Sequence, residues 1–276
     1  MTMAGGRWVR EKGKPPLLMG ILNVTPDSFS DGGRFISTDE AVKRAFELLD
    51  EGADIIDIGG ESSRPGSSSV PSTVEMERII PVIREIASSI GIPISVDTCK
   101  SDVAEAALDA GAHIINDICG LSDDRMVRLA ADRDVPVVVM HMYGTPGTFN
   151  TDMMQGDVIA EIRSFFDKRI QNILNAGVSE SNIIIDPGIG FGKTSQQDMD
   201  ILRGPRSFSE YPVLIGPSKK RFLSYGFPEM EKDDATVSAS ILASDNGADI
   251  IRVHDVGKVR EALRHRPFRE ECLSPL

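Results

Sequence analysis

No apolar run in the 276 residues approaches the ~20 needed to cross a bilayer. The first sixteen residues, MTMAGGRWVREKGKPP, have no apolar stretch of the secretory kind, so the cytosol is the expected compartment. Cysteine is scarce. Cys99, Cys119 and Cys272 are odd in number, far apart and form no CxxC pair, which argues against a disulfide framework or a zinc site and for reduced, buried thiols. Positive charge is also short: 30 basic against 42 acidic side chains leave a net charge of −12. A body so acidic repels nucleic acid and anionic membrane, and any anion it binds needs a local cluster of cations. What remains, 41% hydrophobic and 26% charged residues, excludes intrinsic disorder.

Short β-branched runs alternate with stretches of helical period. Strands are expected at 17–23, 54–58, 93–97, 113–117, 135–140, 183–186, 212–216 and 250–254. They read as nearly continuous apolar runs, the pattern of parallel strands buried on both faces. Between them lie amphipathic segments. One carries Val42, Ala45, Phe46 and Leu49 on one stripe, with Ser37 and Glu40 as a capping box. A second pairs Ser72 with Glu75 in the same way and places Met76, Ile79, Ile83, Ile86 and Ile90 on one side. Pro81 inside it should kink the helix or mark its true start. A later one carries Ile162, Phe165, Phe166, Ile173 and Leu174. Gly52, Gly111, Gly177 and Gly247 each suit a left-handed helix end.

GADII at 52–56, GAHII at 111–115 and GADII at 247–251 repeat one helix-to-strand phrase. Eight such units predict a right-handed α/β architecture, the (β/α)8 TIM barrel. No linker divides the chain, so it reads as one domain over 1–276, with 1–16 an N-terminal extension and 265–276 a C-terminal tail.

Barrels of this kind carry chemistry at the C-terminal strand ends. Those ends hold Asn23, Glu61 to Arg64, Asp97, Asn116 with Asp117, His141, Asp186, Ser218 to Arg221, and Arg252 with His254. Buried Asp and Asn groups pair with a heterocycle that offers adjacent N–H donors and a carbonyl. Arg64, Lys219, Lys220, Arg221, Arg252 and His254 would form a positive rim suited to phosphate or pyrophosphate. Asn23 offers a hard neutral oxygen for Mg2+. PGIGFGKT at 187–194 resembles a phosphate-binding loop, but Pro187 stands where that motif needs glycine. Its glycines are expected to let backbone approach a flat ligand beside Asp186. Two strand-end histidines, His141 and His254, lack the spacing of a metal pair, which weakens a barrel hydrolase.

MGILNVTPDSFSDGG at 19–33 resembles the first loop of dihydropteroate synthases. DIGGESSRPG at 57–66, SVDT at 95–98, IND at 115–117, MHM at 140–142, DPG at 186–188 and RVHDV at 252–256 follow in that family's order. The resemblance implies condensation of 6-hydroxymethyl-7,8-dihydropterin pyrophosphate with p-aminobenzoate, giving 7,8-dihydropteroate and pyrophosphate in folate biosynthesis. It assigns Asp97, Asn116, Asp186 and Lys220 to the pterin, and Asn23, Ser63, Arg64, Arg252 and His254 to pyrophosphate, with Asn23 on Mg2+. Phe191, Ser218 (at a helix start) and Lys220 would meet the aminobenzoate. Asp97, Lys220, Arg252 and His254 would be catalytic, and a homodimer through the outer helices is suggested. Long loops at 24–37 and 59–71 would form a lid. Tyr143, Gly147, Cys119 and the GPSKKR phrase at 216–221 depart from the family's usual residues, which bears on the arylamine: one bearing a ribosyl phosphate, as in methanopterin pathways, would suit Arg221. A methyltransferase to a corrinoid protein would share Asp97, Asn116 and Asp186 without needing the pyrophosphate set, and a non-catalytic pterin binder would show the same pocket without turnover.

Overall fold

The computed structural model describes residues 8–11, 13–25, 38–62, 69–146, 148–149, 151, 153–208 and 210–264. Eight parallel strands alternate with helices: β1 (Leu17–Asn23), α1 (Thr38–Asp50), β2 (Ile55–Gly59), α2 (Ser72–Ala87), β3 (Ile94–Asp97), α3 (Ser101–Ala110), β4 (Ile114–Asp117) and α4 (Asp124–Arg133). Then come β5 (Val137–Met140), α5 (Val158–Asn175), β6 (Ile183–Asp186), α6 (Ser195–Arg203), β7 (Leu214–Ile215), α7 (Leu223–Gly226), α8 (Lys232–Asp245), β8 (Ile250–Val253) and α9 (Val256–Arg264). The strands run in the order β6-β5-β4-β3-β2-β1-β8-β7, and a bridge between Ile185 and Val213 joins the two ends, making the expected (β/α)8 barrel.

Strand register explains where the chemistry lies. Met19 pairs with Ile55, Val138 with Ile184, and Leu214 with Ile250, and these side chains share one apolar cluster with Ile114 and Trp8. Side chains alternate faces along a strand, so the residues two places further on point the same way, nearer the C-terminal mouth. Those are Ile21, Asp57, Asn116, Met140, Asp186, Gly216 and Arg252. The barrel therefore has an apolar floor and, one inward step above it, a largely polar layer.

The N-terminal extension closes the floor. Trp8 is 8% exposed and packs with the apolar layer, while the Arg10 backbone N–H donates to Asp249 Oδ1 at 2.9 Å. Fully buried Asp249 also accepts from Arg206 at 2.9 Å and from the Val213 backbone at 2.9 Å. That last bond shortens β7 relative to the expected 212–216: the Val213 N–H goes to a side chain in place of a strand partner.

Other expectations need correction. On α1 the buried ridge is Ala41, Ala45 and Leu48, while Phe46 is exposed. Ser72 and Glu75 form no capping box: Pro71 is the N-cap, Ser72 donates to Asp102, and Glu75 is buried against Lys100. Pro81 lies inside α2 and does not start it. The expected cap at Ser37 lies outside the described residues. The helix-ending glycines do adopt left-handed backbone, with φ of 95° at Gly52 and 113° at Gly111. No helix among the described residues is long and apolar enough to cross a membrane.

Trp8→Ala should empty the floor and cost about 3 kcal/mol, the low end for truncating a buried aromatic. Urea unfolding followed by far-UV circular dichroism measures this, since Trp8 is the sole tryptophan and its removal silences fluorescence.

Candidate functional site

A cavity of about 1360 Å³ opens at the C-terminal mouth. Its wall includes Asn23, Asn116, Asp186, Phe191, Ser218, Lys220, Arg252 and His254, eight of the residues expected at the site. Asp97 belongs to the same group through Arg252, whose Nη2 donates to Asp97 Oδ2 at 2.5 Å. Ser63 and Arg64 lie outside the described residues, as do most of the two expected lid loops.

Arg252 organises the polar layer. Its Nε donates to Asp57 Oδ2 at 2.6 Å, and Asn116 Nδ2 donates to the same oxygen at 3.1 Å. Asp57 is fully buried, and its Oδ1 has no partner among the described residues. An unpaired buried carboxylate oxygen is costly, so an N–H donor is what this position calls for. Asp57 was not among the expected site residues. The signal was there: an acidic residue on the inward parity of an otherwise apolar strand.

Burial pushes the Asp97 carboxyl up to about 7, against the pull of Arg252 and with help from the charges of Asp57, Glu75 and Asp117. Burial also raises Asp186, against the neighbouring Lys220; Asp186 Oδ1 accepts the Gly188 N–H at 2.7 Å. Lys220 moves the other way. Burial brings its amine down to about 8, opposed by Asp186 and Asp198. Its Nζ donates to the Ile189 carbonyl at 2.5 Å and lies 4.7 Å from the centroid of the Phe191 ring.

Ser218 Oγ and His254 Nδ1 are 2.8 Å apart, which fixes the imidazole plane. Ser218 sits in a turn followed by a four-residue helix, so it is not at the helix start expected for it. Arg44, a second residue missed from the sequence, lines the cavity from α1, where it donates to Glu51 at 2.6 Å and to the His254 carbonyl at 3.1 Å. Nothing in the periodicity of α1 marks it.

Three expected strand-end groups turn out to be structural. His141 is buried edge-on to Phe165, and burial with nearby Lys193 lowers it to about 3. Asp117 accepts the backbone N–H groups of Cys119 and Leu121, holding a turn. Glu61 pairs with Lys100. The 187–194 loop is held by internal bonds and lends Gly190 and Phe191 to the cavity wall. Lys193 Nζ donates to the carbonyls of His141, Gly188 and Phe191 at 3.2, 2.8 and 3.0 Å, so this lysine cannot cradle phosphate. Two of its glycines are required by backbone contacts: a Cβ at Gly188 would lie 1.9 Å from the His141 carbonyl oxygen, and one at Gly192 2.2 Å from that of Tyr143, while Gly190 lines the cavity.

Residues 19–254 match the family model described as pterin binding enzyme. A dihydropteroate synthase of Bacillus subtilis is 45% identical over 248 residues, 88% of this chain and 85% of the relative. Among solved structures, the Xanthomonas albilineans dihydropteroate synthase with 4-aminobenzoic acid superposes with a TM-score of 0.84 at 41% identity, covering 91% of each chain. The same enzyme in complex with 7,8-dihydropteroate gives 0.80 at 39% identity, covering 91% and 92%.

Asp57→Ala should leave Arg252 Nε and Asn116 Nδ2 without their shared acceptor. Arg252 is one-fifth exposed, so the loss should sit near the low end for a broken buried pair, about 3 kcal/mol, read from the urea midpoint.

Proposed function

This chain belongs to the pterin binding enzyme family and within it to the dihydropteroate synthases, a group of transferases, and from that footing we propose how its own residues divide the reaction. The substrates are 6-hydroxymethyl-7,8-dihydropterin pyrophosphate and p-aminobenzoate; the products are 7,8-dihydropteroate and pyrophosphate. One observation carries the assignment. A buried polar layer built for a flat N–H-bearing ring and a cationic wall built for an anion face the same cavity.

The pterin lies on the polar layer, where Asp186 and Asn116, with the unpaired Oδ1 of Asp57, accept and donate along its edge. Lys220 and Phe191 border the ring from one side. Arg252 and His254 face the pyrophosphate, with Ser63 and Arg64 of the second loop completing that set. The bond from the exocyclic carbon to the pyrophosphate oxygen breaks, the electron pair leaves with pyrophosphate, and the electron-rich pterin delocalises the positive charge. Asp97 stabilises that cation, while Arg252 and His254 stabilise the leaving anion. The neutral arylamine attacks with its nitrogen lone pair, and the protonated amine so formed gives its proton to solvent or to the released pyrophosphate. Phe191 and Lys220 flank the arylamine ring, and Ser218 meets its carboxylate.

A magnesium ion fits the donors present. Asn23 ends β1 on the cavity wall and offers a hard amide oxygen, and Mg2+ takes one or two protein ligands with phosphate oxygens. When bound it neutralises charge on the departing pyrophosphate. The reading also places the enzyme in the cytosol as a homodimer, on the scarcity of cysteine and the resemblance given above.

Pyrophosphate release with the pterin pyrophosphate, Mg2+ and p-aminobenzoate tests the reaction; release must require the arylamine. Asp186→Ala should weaken pterin binding by about 2 kcal/mol or more, measured by calorimetry, and an unchanged affinity would place the ring elsewhere. The pH profile of kcat/KM should be bell-shaped. Below about 7 Asp97 takes up a proton and loses its negative charge; above about 8 Lys220 gives one up and loses its positive charge. Lys220→Arg stays charged at higher pH, so its basic limb should move upward while the acidic limb stays.

A further inference from the structure

Cys99 and Cys119 are twenty positions apart in sequence, yet the fold brings them together. Cys99 follows β3 and Cys119 follows β4, strands that pair through Asp97 and Asn116. The two sulfurs and a carboxylate oxygen of Asp117 all lie within 4.8 Å of one another. Asp117 is 1% exposed, while both cysteines are partly accessible. We propose that Cys99, Cys119 and Asp117 form a binding site for a thiophilic divalent cation of the zinc type, separate from the oxygen-lined Mg2+ position at Asn23.

The geometry is close to what such an ion needs. Zinc bonds of ~2.3 Å to sulfur and ~2.0 Å to oxygen at tetrahedral angles put ligand atoms about 3.5–3.8 Å apart. The three ligands need to close by about an ångström at most. The frame that presents them is already rigid. Asp117 Oδ1 accepts the Cys119 N–H at 2.7 Å and Oδ2 the Leu121 N–H at 3.0 Å, and Leu121 takes a left-handed φ of 52° to make that possible. On the other turn, the Thr98 N–H donates to the Asn116 carbonyl at 3.0 Å and Thr98 Oγ1 accepts from the Lys100 N–H at 3.2 Å. Each carboxylate oxygen of Asp117 keeps a second lone pair for an ion. The bond with Cys119, burial and the Asp117 charge push the Cys99 thiol up, so an ion must displace its proton on binding.

Two sulfur ligands select a soft or borderline ion over Mg2+. Binding releases the two thiol protons to solvent as the sulfurs become thiolates, and partial exposure leaves a fourth position for water. The ion would tie together the turns that follow Asp97 and Asn116.

The full-length reduced protein tests this with Co2+ and Zn2+ in the presence of excess Mg2+. One Co2+ per chain should give sulfur-to-metal charge-transfer absorption, displaced by Zn2+, with close to two protons released per ion. Zn2+ should protect Cys99 and Cys119 from alkylation, as read by peptide mass. Cys99→Ser and Cys119→Ser should each lose the absorption and weaken Zn2+ at least tenfold; Cys272→Ser should not. Absence of sulfur-to-metal absorption in the unaltered chain overturns the proposal, as does Zn2+ affinity untouched in both variants. So does conversion of the pair by oxidised glutathione to a disulfide in a protein that takes up no Zn2+.

Discussion

Arg252 carries a permanent positive charge inside the mouth of the barrel, and the rest of the site is arranged around keeping it there. A guanidinium taken from water is tolerated only when its charge is answered and its donors are used. Here Asp57 takes Nε and Asp97 takes Nη2, so the cation is bracketed by anions from β2 and β3 while it originates on β8. Two negative charges against one positive leave the layer poised to accept more positive charge. The cation that forms when a leaving group departs from a pterin supplies it. The same guanidinium faces the cavity, so one residue both neutralises the carboxylates beneath and attracts the anion above.

That arrangement depends on strand parity. In a parallel barrel inward positions recur every second residue, and neighbouring strands are staggered, so a side chain's height follows from its place in the register. Met19, Ile55, Ile114, Val138, Ile184, Leu214 and Ile250 make the floor with Trp8. The next inward step is where hydrophobic burial gives way to hydrogen bonding. An apolar floor withholds water from the underside of the polar layer, which strengthens each charge pair above it. It is also why Asp97, Asp186 and Lys220 are all displaced by burial toward their neutral forms.

Most of this was legible in the sequence, and the failures have physical reasons. Strand runs and their helical spacers could be read because both-face burial leaves a continuous apolar signature. The strand-end rule then found the residues of the cavity wall. It overreached at His141, Asp117 and Glu61, because a polar residue at a strand end can turn outward to hold a loop as readily as inward to hold a ligand. It missed Asp57 because that residue lies before the end of its strand. Parity counting from Ile55 would have reached it. Arg44 and the plug at Trp8 depend on tertiary placement alone, which no local pattern encodes. The 187–194 phrase shows the opposite hazard. A glycine-rich run ending in Lys-Thr looks like an anion cradle, whereas here the lysine spends its three N–H groups on carbonyls of its own and a neighbouring loop.

The net charge poses a last question, since a chain at −12 must hold a substrate bearing pyrophosphate. Long-range repulsion is screened beyond about 8 Å at physiological ionic strength, so the acidic outer surface acts weakly on a ligand already at the mouth. Close in, the balance reverses. Lys219, Lys220, Arg221, Arg44 and His254 line the cavity together with Arg252, which shares the inward layer with Asp186. Cations at and beyond the ends of β7 and β8, set against the carboxylates of β2, β3 and β6, separate charge across the cavity. This separation orients a ligand that is anionic at one end and rich in N–H donors at the other, and it opposes the reversed pose, which would set phosphate against carboxylate. Orientation is thus decided by where the charges sit around the mouth, and their sum over the whole protein has little say in it.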